Sequence, residues 1–274
     1  MWISKKEILN LSKNIRRIID GNMIDIRDNK EGPFGILKND IYTLATLKNE
    51  EVNSFHNERD LMSETLANIS HQLKTPLTSM MVMADLLENA PKDKQLEFIS
   101  NIKIGLAQME WLVSVLLKMA KLDAGAVEFS REKIKGRKLI GLSLEPLEIL
   151  LDLKNQNVEI LGDITLTCDR KWTAEALTNI IKNASEYSPA GKNIVIEFGE
   201  NPIATWISVS DSGNGITNLE IANLFKRFEG TVSEKSYGIG LPLALAIIRG
   251  QNGDIDVDGG GKGKGATFTL KFFK

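Results

Sequence analysis

One of the two histidines in the chain stands beside a hydroxyl group and shortly before a proline. His71 belongs to the run SHQLKTP at residues 70–76, which lies in a stretch with the spacing of a helix. At about 100° per residue, His71 points away from the apolar residues of this stretch, whereas Thr75 lies one turn further along the same face. The missing N–H of Pro76 should bend or loosen the helix just after His71. We therefore expect a solvent-facing imidazole that can attack through a ring nitrogen; an ordinary surface histidine is the alternative.

Three further groups of residues have the types that a nucleotide site needs. Asn179 and Asn183, four apart in a helical run, share one face. Residues 211–215 (DSGNG) leave a strand for a glycine turn, where a carboxylate can accept a hydrogen bond from an amine and glycines admit a flat ring. Residues 238–242 (GIGLP) open a helix, whose first N–H groups and dipole favour phosphates. Each group alone is a weak signal, because paired amides are usually solvated and such a glycine run is often only a turn.

Two apolar helices must carry the histidine. From about Glu51 to Asn89 apolar residues recur three or four apart, and residues 90–93 (APKD) end that pattern. The predicted first stripe consists of Leu66, Ile69, Leu73, Leu77, Met80, Ala84 and Leu87. The predicted second stripe consists of Ile99, Ile102, Leu106, Met109, Val113, Leu116 and Ala120. The short connection predicts that the two helices form an antiparallel hairpin. Because two helices alone would leave apolar surface in water, we expect a homodimer that completes a four-helix bundle.

A second domain of mixed structure should hold the nucleotide groups. After residues 123–125 (DAG) the pattern changes to short β-rich segments that alternate with helical runs. The β-rich segments are 157–168, 193–198 and 205–210, the helical runs are 171–186 and 243–249, and a terminal hairpin is predicted at 254–257 and 266–272. The predicted fold class is α+β, with a helical hairpin that forms a dimeric four-helix bundle, followed by an α/β sandwich. The predicted domains are a juxtamembrane or connector segment at 1–50, the hairpin at 51–125 and the α/β domain at 126–274.

Composition argues against several kinds of function. With 34 Lys and Arg against 36 Asp and Glu, the formal net charge is -2, so no basic field recruits nucleic acid or an anionic membrane. Cys168 is the one cysteine, which excludes an internal disulfide, and two histidines with one thiol argue against a zinc site.

No apolar run reaches the ~18–20 residues of a membrane span. The opening MWISKK nevertheless reads like the cytoplasmic exit of a transmembrane helix. We therefore expect the cytoplasmic portion of a protein that a preceding segment anchors in the cell membrane; an ordinary helix start is the alternative.

Taken together, these groups resemble a known protein family. The run at residues 70–76 resembles the phosphoacceptor box of sensor histidine kinases. In chain order, the asparagine pair, residues 211–215, the run LFKRF at 224–228 and residues 238–241 resemble four boxes of the GHKL (Bergerat-type) ATP-binding domain. These are its N, first glycine, F and second glycine boxes. The likeness covers about residues 55–274, and the combination of boxes is specific.

The resemblance implies roles for the residues of the histidine box. His71 would be phosphorylated on its ring, whereas His56, which lacks such surroundings, is interpreted as a surface residue. Gln72 stands where the family has an acidic residue that holds the proton of the other ring nitrogen. The Gln72 carbonyl can accept the same bond but supplies no full charge, so a slower autokinase is expected. Thr75 matches the family position implicated in placing water to dephosphorylate a response regulator.

The resemblance also implies a site for ATP and Mg²⁺. Asp211 would bind the adenine amine, Asn183 would ligate Mg²⁺, and residues 213–240 would contain a flexible lid. The other residues implied in nucleotide binding are Asn179, Tyr187, Gly213, Gly215, Arg227, Gly238, Gly240 and Leu241. Asn179 stands where the ATPase branches of the family have a glutamate that activates water. Because asparagine cannot act as that base, transfer to His71 is favoured over hydrolysis.

Two departures from the family pattern concern phosphate contacts and leave alternatives open. Glu186 stands where many relatives have a basic residue, and Glu229 and Gly230 follow the F box where another is usual, so weak ATP binding is expected. The cations that could replace these phosphate contacts are Lys182, Arg227 and Lys235.

The predicted function is that of a dimeric sensor histidine kinase. It would autophosphorylate from Mg-ATP, pass the phosphoryl group to an aspartate of a response regulator, and dephosphorylate that regulator. Two alternatives are a degenerate relative with weak kinase activity, which signals through conformation or regulator binding, and an ATPase of the GHKL type.

Overall fold

A computed structural model describes residues 4–20, 22, 24–27, 32–88, 90–228, 238–261 and 263–274. The chain divides into two compact units, residues 1–69 and 70–274, and the boundary falls inside one long helix. The helices are α1 (Lys5–Ile19), α2 (Pro33–Leu87), α3 (Lys92–Asp123), α4 (Gly136–Leu144), α5 (Glu148–Leu153), α6 (Arg170–Tyr187), α7 (Asn218–Ile221) and α8 (Gly240–Gly250), with a 3₁₀ turn at Glu145–Leu147. The strands are β1 (Arg131–Lys135), β2 (Val158–Leu161), β3 (Thr165–Asp169), β4 (Ile194–Glu200), β5 (Ala204–Ser210), β6 (Gly253–Asp258) and β7 (Thr267–Phe273). None of the described helices combines the length and the apolar character that a membrane crossing requires.

The first unit contains α1 and the first part of α2. The Ser4 hydroxyl accepts a hydrogen bond from the N–H of Glu7, and the Glu7 carboxylate accepts one from the N–H of Ser4, so α1 begins with a capping box. Pro33 occupies the first turn of α2, where a missing N–H has little cost. The helix thus begins well before Glu51, where the regular apolar spacing starts, because residues 36–50 contain neither glycine nor proline and continue it. Residues 1–3, at the predicted membrane exit, lie outside the described residues.

The helical hairpin is confirmed. Helix α2 continues through Pro76 to Leu87, and α3 begins at Lys92, so the predicted break at residues 90–93 overlaps the end of the connection between the two helices. Asn89 lies outside the described residues. The two helices approach closely where the Met80 side chain packs on Gly105, since a Cβ atom at Gly105 would lie 2.8 Å from both Cγ and Sδ of Met80.

Helix α3 buries a face that the sequence pattern did not predict. Its buried residues are Gly105, Leu112, Val115 and Met119. Leu106 and Val113, from the predicted stripe, are 57% and 45% exposed in the single chain. The predicted stripe is therefore only partly buried within one chain, and its cover by a second copy stays a prediction. The physical reason is that α3 packs on the core of the α/β domain through one face and leaves a second apolar face uncovered.

The α/β domain consists of one layer of sheet and one layer of helices. The five-stranded sheet has the order β2-β4-β5-β7-β6, in which β2 and β4 are parallel and the other pairs antiparallel, while β1 and β3 form a separate antiparallel pair. Buried residues alternate along the strands, so one face of the sheet packs on α6 and α8. The core is built mainly from Ile180 and Ile181 of α6, Ile247 of α8, and Ile207, Phe268 and Leu270 of the sheet.

The predicted fold class is confirmed, but several helices and strands were not predicted from sequence. The terminal hairpin is present, because β6 and β7 pair antiparallel from Gly253–Phe272 to Asp258–Thr267. The predicted β-rich segment 157–168 contains two strands that belong to different sheets. The sequence pattern gave no assignment for residues 126–156, which contain β1, α4 and α5.

Candidate active site

Hydrogen bonds hold helix α6 at both ends, and they thereby hold the side chains on its surface in position. At its start, Oδ1 of Asp169 accepts hydrogen bonds from two first-turn N–H groups, each at 3.0 Å. At its end, the buried amide of Gln156 donates to the carbonyl oxygens of Ser185 and Ser188 at 3.2 and 3.0 Å. The Ser188 hydroxyl in turn accepts a bond from the N–H of Ser212 at 3.0 Å, which ties the helix to the turn after β5.

Three predicted residues share the exposed face of α6. Asn179, Asn183 and Tyr187 follow one another at intervals of four, so they lie above one another on the helix. The Asn179 amide donates to the carbonyl oxygen of Glu175 at 2.9 Å. Its own oxygen faces the start of α8, because a Cβ atom at Gly240 would lie 2.9 Å from Asn179 Oδ1. Glycine at this position therefore lets α8 approach α6.

The carboxylate of Asp211 lies at the end of β5 and is held by the backbone. Its Oδ1 accepts hydrogen bonds from the N–H groups of Gly213 at 2.8 Å and Ala266 at 3.1 Å. Both bonds fall on Oδ1, so Oδ2 is the oxygen that can face a ligand. Burial raises the pKa of Asp211 above its ordinary value, and the bonds from Gly213 and Ala266 oppose that rise.

Glycines around Asp211 allow close backbone approach. Gly215 has φ +76, in the left-handed region, and a Cβ atom there would meet the carbonyl oxygen of Gly261. A Cβ atom at Gly213 would lie 2.8 Å from the carbonyl oxygen of Tyr187. The turn after β5 can therefore pack between the end of α6 and the glycine-rich segment before β7 only with glycine at these positions.

These elements enclose one cavity of about 600 Å³, a size typical of small-molecule sites. The predicted nucleotide residues that line it are Asn179, Asn183, Tyr187, Asp211, Gly215, Gly238, Gly240 and Leu241. Helix α8 begins at Gly240 without a side-chain cap, so backbone N–H groups of its first turn can serve a ligand. Gly213 lies behind the cavity wall, where its N–H holds Asp211.

Charged residues of both signs border the cavity. Lys182 and Glu186 both line it, and their side chains form an ion pair at 3.8 Å. Arg227, predicted as a nucleotide residue, instead donates two hydrogen bonds to Asp123 at the end of α3. Glu229, Gly230, Lys235 and the rest of residues 229–237, within the predicted lid, lie outside the described residues.

The histidine box lies on α2, where His71 is exposed, as predicted. The Thr75 hydroxyl donates a hydrogen bond to the His71 carbonyl oxygen at 3.1 Å. Gln72 is partly buried beside them, and Pro76 lies within the helix. The sequence-predicted residues thus form two groups, one around the cavity and one on the hairpin.

Family models match both groups. Residues 61–125 match the His Kinase A (phospho-acceptor) domain, and residues 168–274 match the histidine kinase-, DNA gyrase B- and HSP90-like ATPases. Together the two matches cover more than half of the chain and follow one another in the predicted order. The chain belongs to the bacterial two-component sensor histidine kinases. The predicted family is therefore confirmed.

Individual sensor kinases are similar to the chain over most of its length. It is 33% identical over 196 residues to the sensor histidine kinase WalK of Bacillus subtilis, covering 67% of this chain and 32% of WalK. It is 28% identical over 252 residues to the heme sensor protein HssS of Staphylococcus saprophyticus, covering 90% of this chain and 53% of HssS. The chain thus spans about a third to a half of the length of these curated relatives. The crystal structure of full-length ShkA in complex with AMPPNP matches at a TM-score of 0.57 and 25% identity, covering 77% of this chain and 46% of ShkA.

Several residues that line the cavity of this sensor histidine kinase were not predicted from sequence, Trp111 and Ala266 among them. Trp111 lines the cavity from α3, and Ala266 holds Asp211 through its N–H. Trp111 could have been found from sequence, because it lies beside the predicted stripe of α3, where an aromatic side chain without a partner would be exposed to water. No side-chain signal could have identified Ala266, because its contribution is made by the backbone.

Proposed function

We propose that the chain is the catalytic part of a sensor histidine kinase that binds Mg-ATP in the cavity and phosphorylates His71. The observation that carries this proposal is the convergence of three separate sequence motifs on one cavity around Asp211, in a chain that also exposes His71. An amide pair, a strand-end carboxylate and an uncapped helix start supply the acceptor for an adenine amine and the donors for phosphates.

The residues present fit ATP and Mg²⁺. The cavity volume of about 600 Å³ suits a nucleotide, and Asn183 on its wall offers an amide oxygen of the hard kind that Mg²⁺ prefers. The described part of the chain has no cluster of three or more His, Cys, Asp or Glu that could hold a metal. Asn183 would therefore share Mg²⁺ with nucleotide phosphates, where the ion would neutralise charge on the phosphate oxygens.

The proposed reaction uses a ring nitrogen of His71 as the nucleophile. That nitrogen forms a bond to the γ-phosphorus, and the bond from this phosphorus to the bridging oxygen breaks, so ADP leaves with the electron pair. The other ring nitrogen keeps its proton, and the carbonyl of Gln72 can accept a hydrogen bond from it. The phosphoryl group then passes to an aspartate carboxylate of a response regulator.

A second copy of the chain is the proposed structural partner. Helix α3 leaves Leu106, Val113 and Leu117 about half exposed on a face away from the α/β core. A two-fold axis that brings two hairpins together would bury these side chains in a four-helix bundle.

We further propose the three predicted domains, a connector at 1–50, the hairpin at 51–125 and the ATP-binding domain at 126–274. In the whole protein a membrane segment would precede the connector and leave the described part in the cytoplasm. Thr75 would support a phosphatase activity on the response regulator.

The partition of the γ-phosphoryl group between protein and water tests this function. With ATP, Mg²⁺ and the full chain, we expect protein-bound phosphate that is labile to acid and stable to alkali, with little free phosphate. Steady release of phosphate without labelling would support the ATPase alternative. Nucleotide binding with neither product would support the degenerate relative, the alternative that Gln72, Glu186 and Gly230 suggest from sequence.

A further inference from the structure

One face of α3 holds two cations of the α/β domain, and one of them, Lys182, borders the nucleotide cavity. The Arg227 guanidinium donates two hydrogen bonds to the Asp123 carboxylate, Nη1 to Oδ2 at 2.8 Å and Nη2 to Oδ1 at 2.7 Å. The Lys182 ammonium lies 5.5 Å from the centre of the Trp111 ring, within the range of a cation–π contact. Both partners of these cations belong to the phosphoacceptor hairpin.

The same face of α3 docks on the α/β core between these two contacts. Its buried side chains are Leu112, Val115 and Met119. Lys118 adds an ion pair of 2.8 Å to Glu175, one turn before Asn179 on α6. At about 100° per residue, Trp111 and Asp123 lie within roughly 120° of each other around α3, so one docking movement makes or breaks both contacts.

A triphosphate would compete for the same two cations. Lys182 lines the cavity. Arg227 directly precedes Phe228, whose N–H donates a hydrogen bond at 3.1 Å to the carbonyl oxygen of Gly238, a residue of the cavity wall. The Nη1–Nη2 edge of Arg227, which could bond bidentately to a phosphate, is occupied by the Asp123 carboxylate, so a phosphate on this edge would have to displace Asp123. Lys182 can leave the Trp111 ring for a phosphate oxygen, which is a stronger partner because it carries a full negative charge.

The stability of α3 does not account for Asp123. This residue ends the helix, and a negative charge at the C-terminal end of a helix is unfavourable to the helix dipole. The ion pair with Arg227 offsets that cost. An asparagine at this position should therefore fold at least as well.

We propose that Asp123 and Trp111 form a latch that competes with nucleotide phosphates for Arg227 and Lys182. Without nucleotide, the latch holds both cations against α3; a bound triphosphate takes them over and loosens the docking of the hairpin. This inference rests on the proposed function. By thermodynamic linkage, the factor by which the latch weakens nucleotide binding equals the factor by which nucleotide weakens the docking.

Binding titrations on the full chain test the latch. Mg-AMPPNP supplies the triphosphate without a readily transferred γ-group, and adenosine supplies the base and sugar without phosphates. Because Asp123 and Arg227 are partly exposed, we expect Asp123→Asn to tighten Mg-AMPPNP binding about two- to fivefold. Adenosine affinity should stay unchanged. Asp254→Asn is the matched control, since it also removes an Arg–Asp ion pair, at 3.0 Å to Arg249, and should change neither affinity.

A double-mutant cycle gives an independent readout. Arg227→Gln should weaken Mg-AMPPNP binding, and Asp123→Asn should have no further effect in that background. Equal affinities of the original chain and Asp123→Asn for Mg-AMPPNP would overturn the latch and leave the proposed function intact. Tighter adenosine binding in Asp123→Asn, or a persisting effect in the Arg227→Gln background, would also overturn it. If the original chain bound no Mg-AMPPNP, the proposed function itself would fail.

Discussion

The Thr75 hydroxyl donates its proton to the backbone carbonyl oxygen of His71, 3.1 Å away and one helical turn earlier. This bond fixes the hydroxyl rotor, so the lone pairs of the Thr75 oxygen face outward from an exposed helix surface. An oxygen held in this way can accept a hydrogen bond from a water molecule that lies near His71. The geometry suits the orientation of water better than the activation of the histidine.

Thr75→Ala should separate the two proposed activities. Without the hydroxyl, dephosphorylation of a response regulator should fall at least tenfold, while the rate of His71 phosphorylation by ATP stays within about twofold. Because Thr75 is exposed and alanine favours helices, thermal stability should not fall by more than about 0.5 kcal/mol. Thr75→Ser keeps the hydroxyl and is the control. Equal phosphatase rates in all three proteins would exclude the role of Thr75.

Gln72→Glu should accelerate autophosphorylation. A carboxylate accepts the imidazole N–H bond with a full charge, which stabilises the developing imidazolium by about 1 kcal/mol more than an amide does, or roughly fivefold in rate. Initial rates of phosphohistidine formation measure the effect. Ser79→Glu adds the same charge about 10 Å further along the helix and should leave the rate unchanged. An unchanged or lower rate in Gln72→Glu would show that charge at this position is not limiting.

Asp211→Asn should lose nucleotide binding without losing stability. The amide oxygen would keep the bonds from Gly213 and Ala266, which leaves the NH₂ group to face the donor amine of adenine. Two donors cannot pair, so we expect ATP affinity to fall about 10- to 100-fold. Isothermal titration with ATP measures this loss. An unchanged affinity would mean that Asp211 does not contact adenine.

The pH dependence of unfolding gives a second measure of Asp211. Burial raises its pKa above the ordinary 3.8, so the folded chain holds this proton to higher pH than the unfolded chain does. The stability of the folded chain therefore falls as pH rises through the interval between the ordinary and the raised pKa. Above the raised pKa the loss of stability is complete. Asp211→Asn should melt at an equal or higher temperature than the original chain at pH 7. The difference in melting temperature between Asp211→Asn and the original chain should shrink as pH falls towards 4. A difference that grew on acidification would contradict the predicted direction.

The exposed face of α3 should hold a dimer together. Leu106→Glu places a charge on that face and should shift sedimentation equilibrium from dimer to monomer. Ile149→Glu, at a side chain 78% exposed on α5, is the matched control and should leave the dimer intact. If both variants sediment like the original chain, this face is not the dimer interface.

The nucleotide cavity could be predicted from sequence because its groups depend on short-range backbone chemistry. Asp211 follows a strand directly, Gly215 needs a positive φ, and Gly240 starts a helix, so each motif determines its own local geometry. Their order along the chain then resembled the boxes of a known ATP-binding domain, and this resemblance predicted that they meet in one site.

The faces of α3 could not be predicted in the same way. The helix is apolar on two sides, and spacing alone does not say which side meets the core of the same chain and which is left for a second copy. Strand β1 was missed for a related reason, since only Ile134 of its five residues is buried and its partner β3 is distant in sequence. Both errors concern contacts between segments that are far apart in the chain.

The most direct test of the central claim is the location of the phosphate after incubation with Mg-ATP. Mass spectrometry of the full chain, kept at neutral to alkaline pH, should find phosphate on the His71 ring. The modification should be absent in His71→Gln, strongly reduced in Asp211→Asn, and retained in His56→Gln. Phosphate on another residue, or none on His71 in a folded protein that binds ATP, would contradict the account.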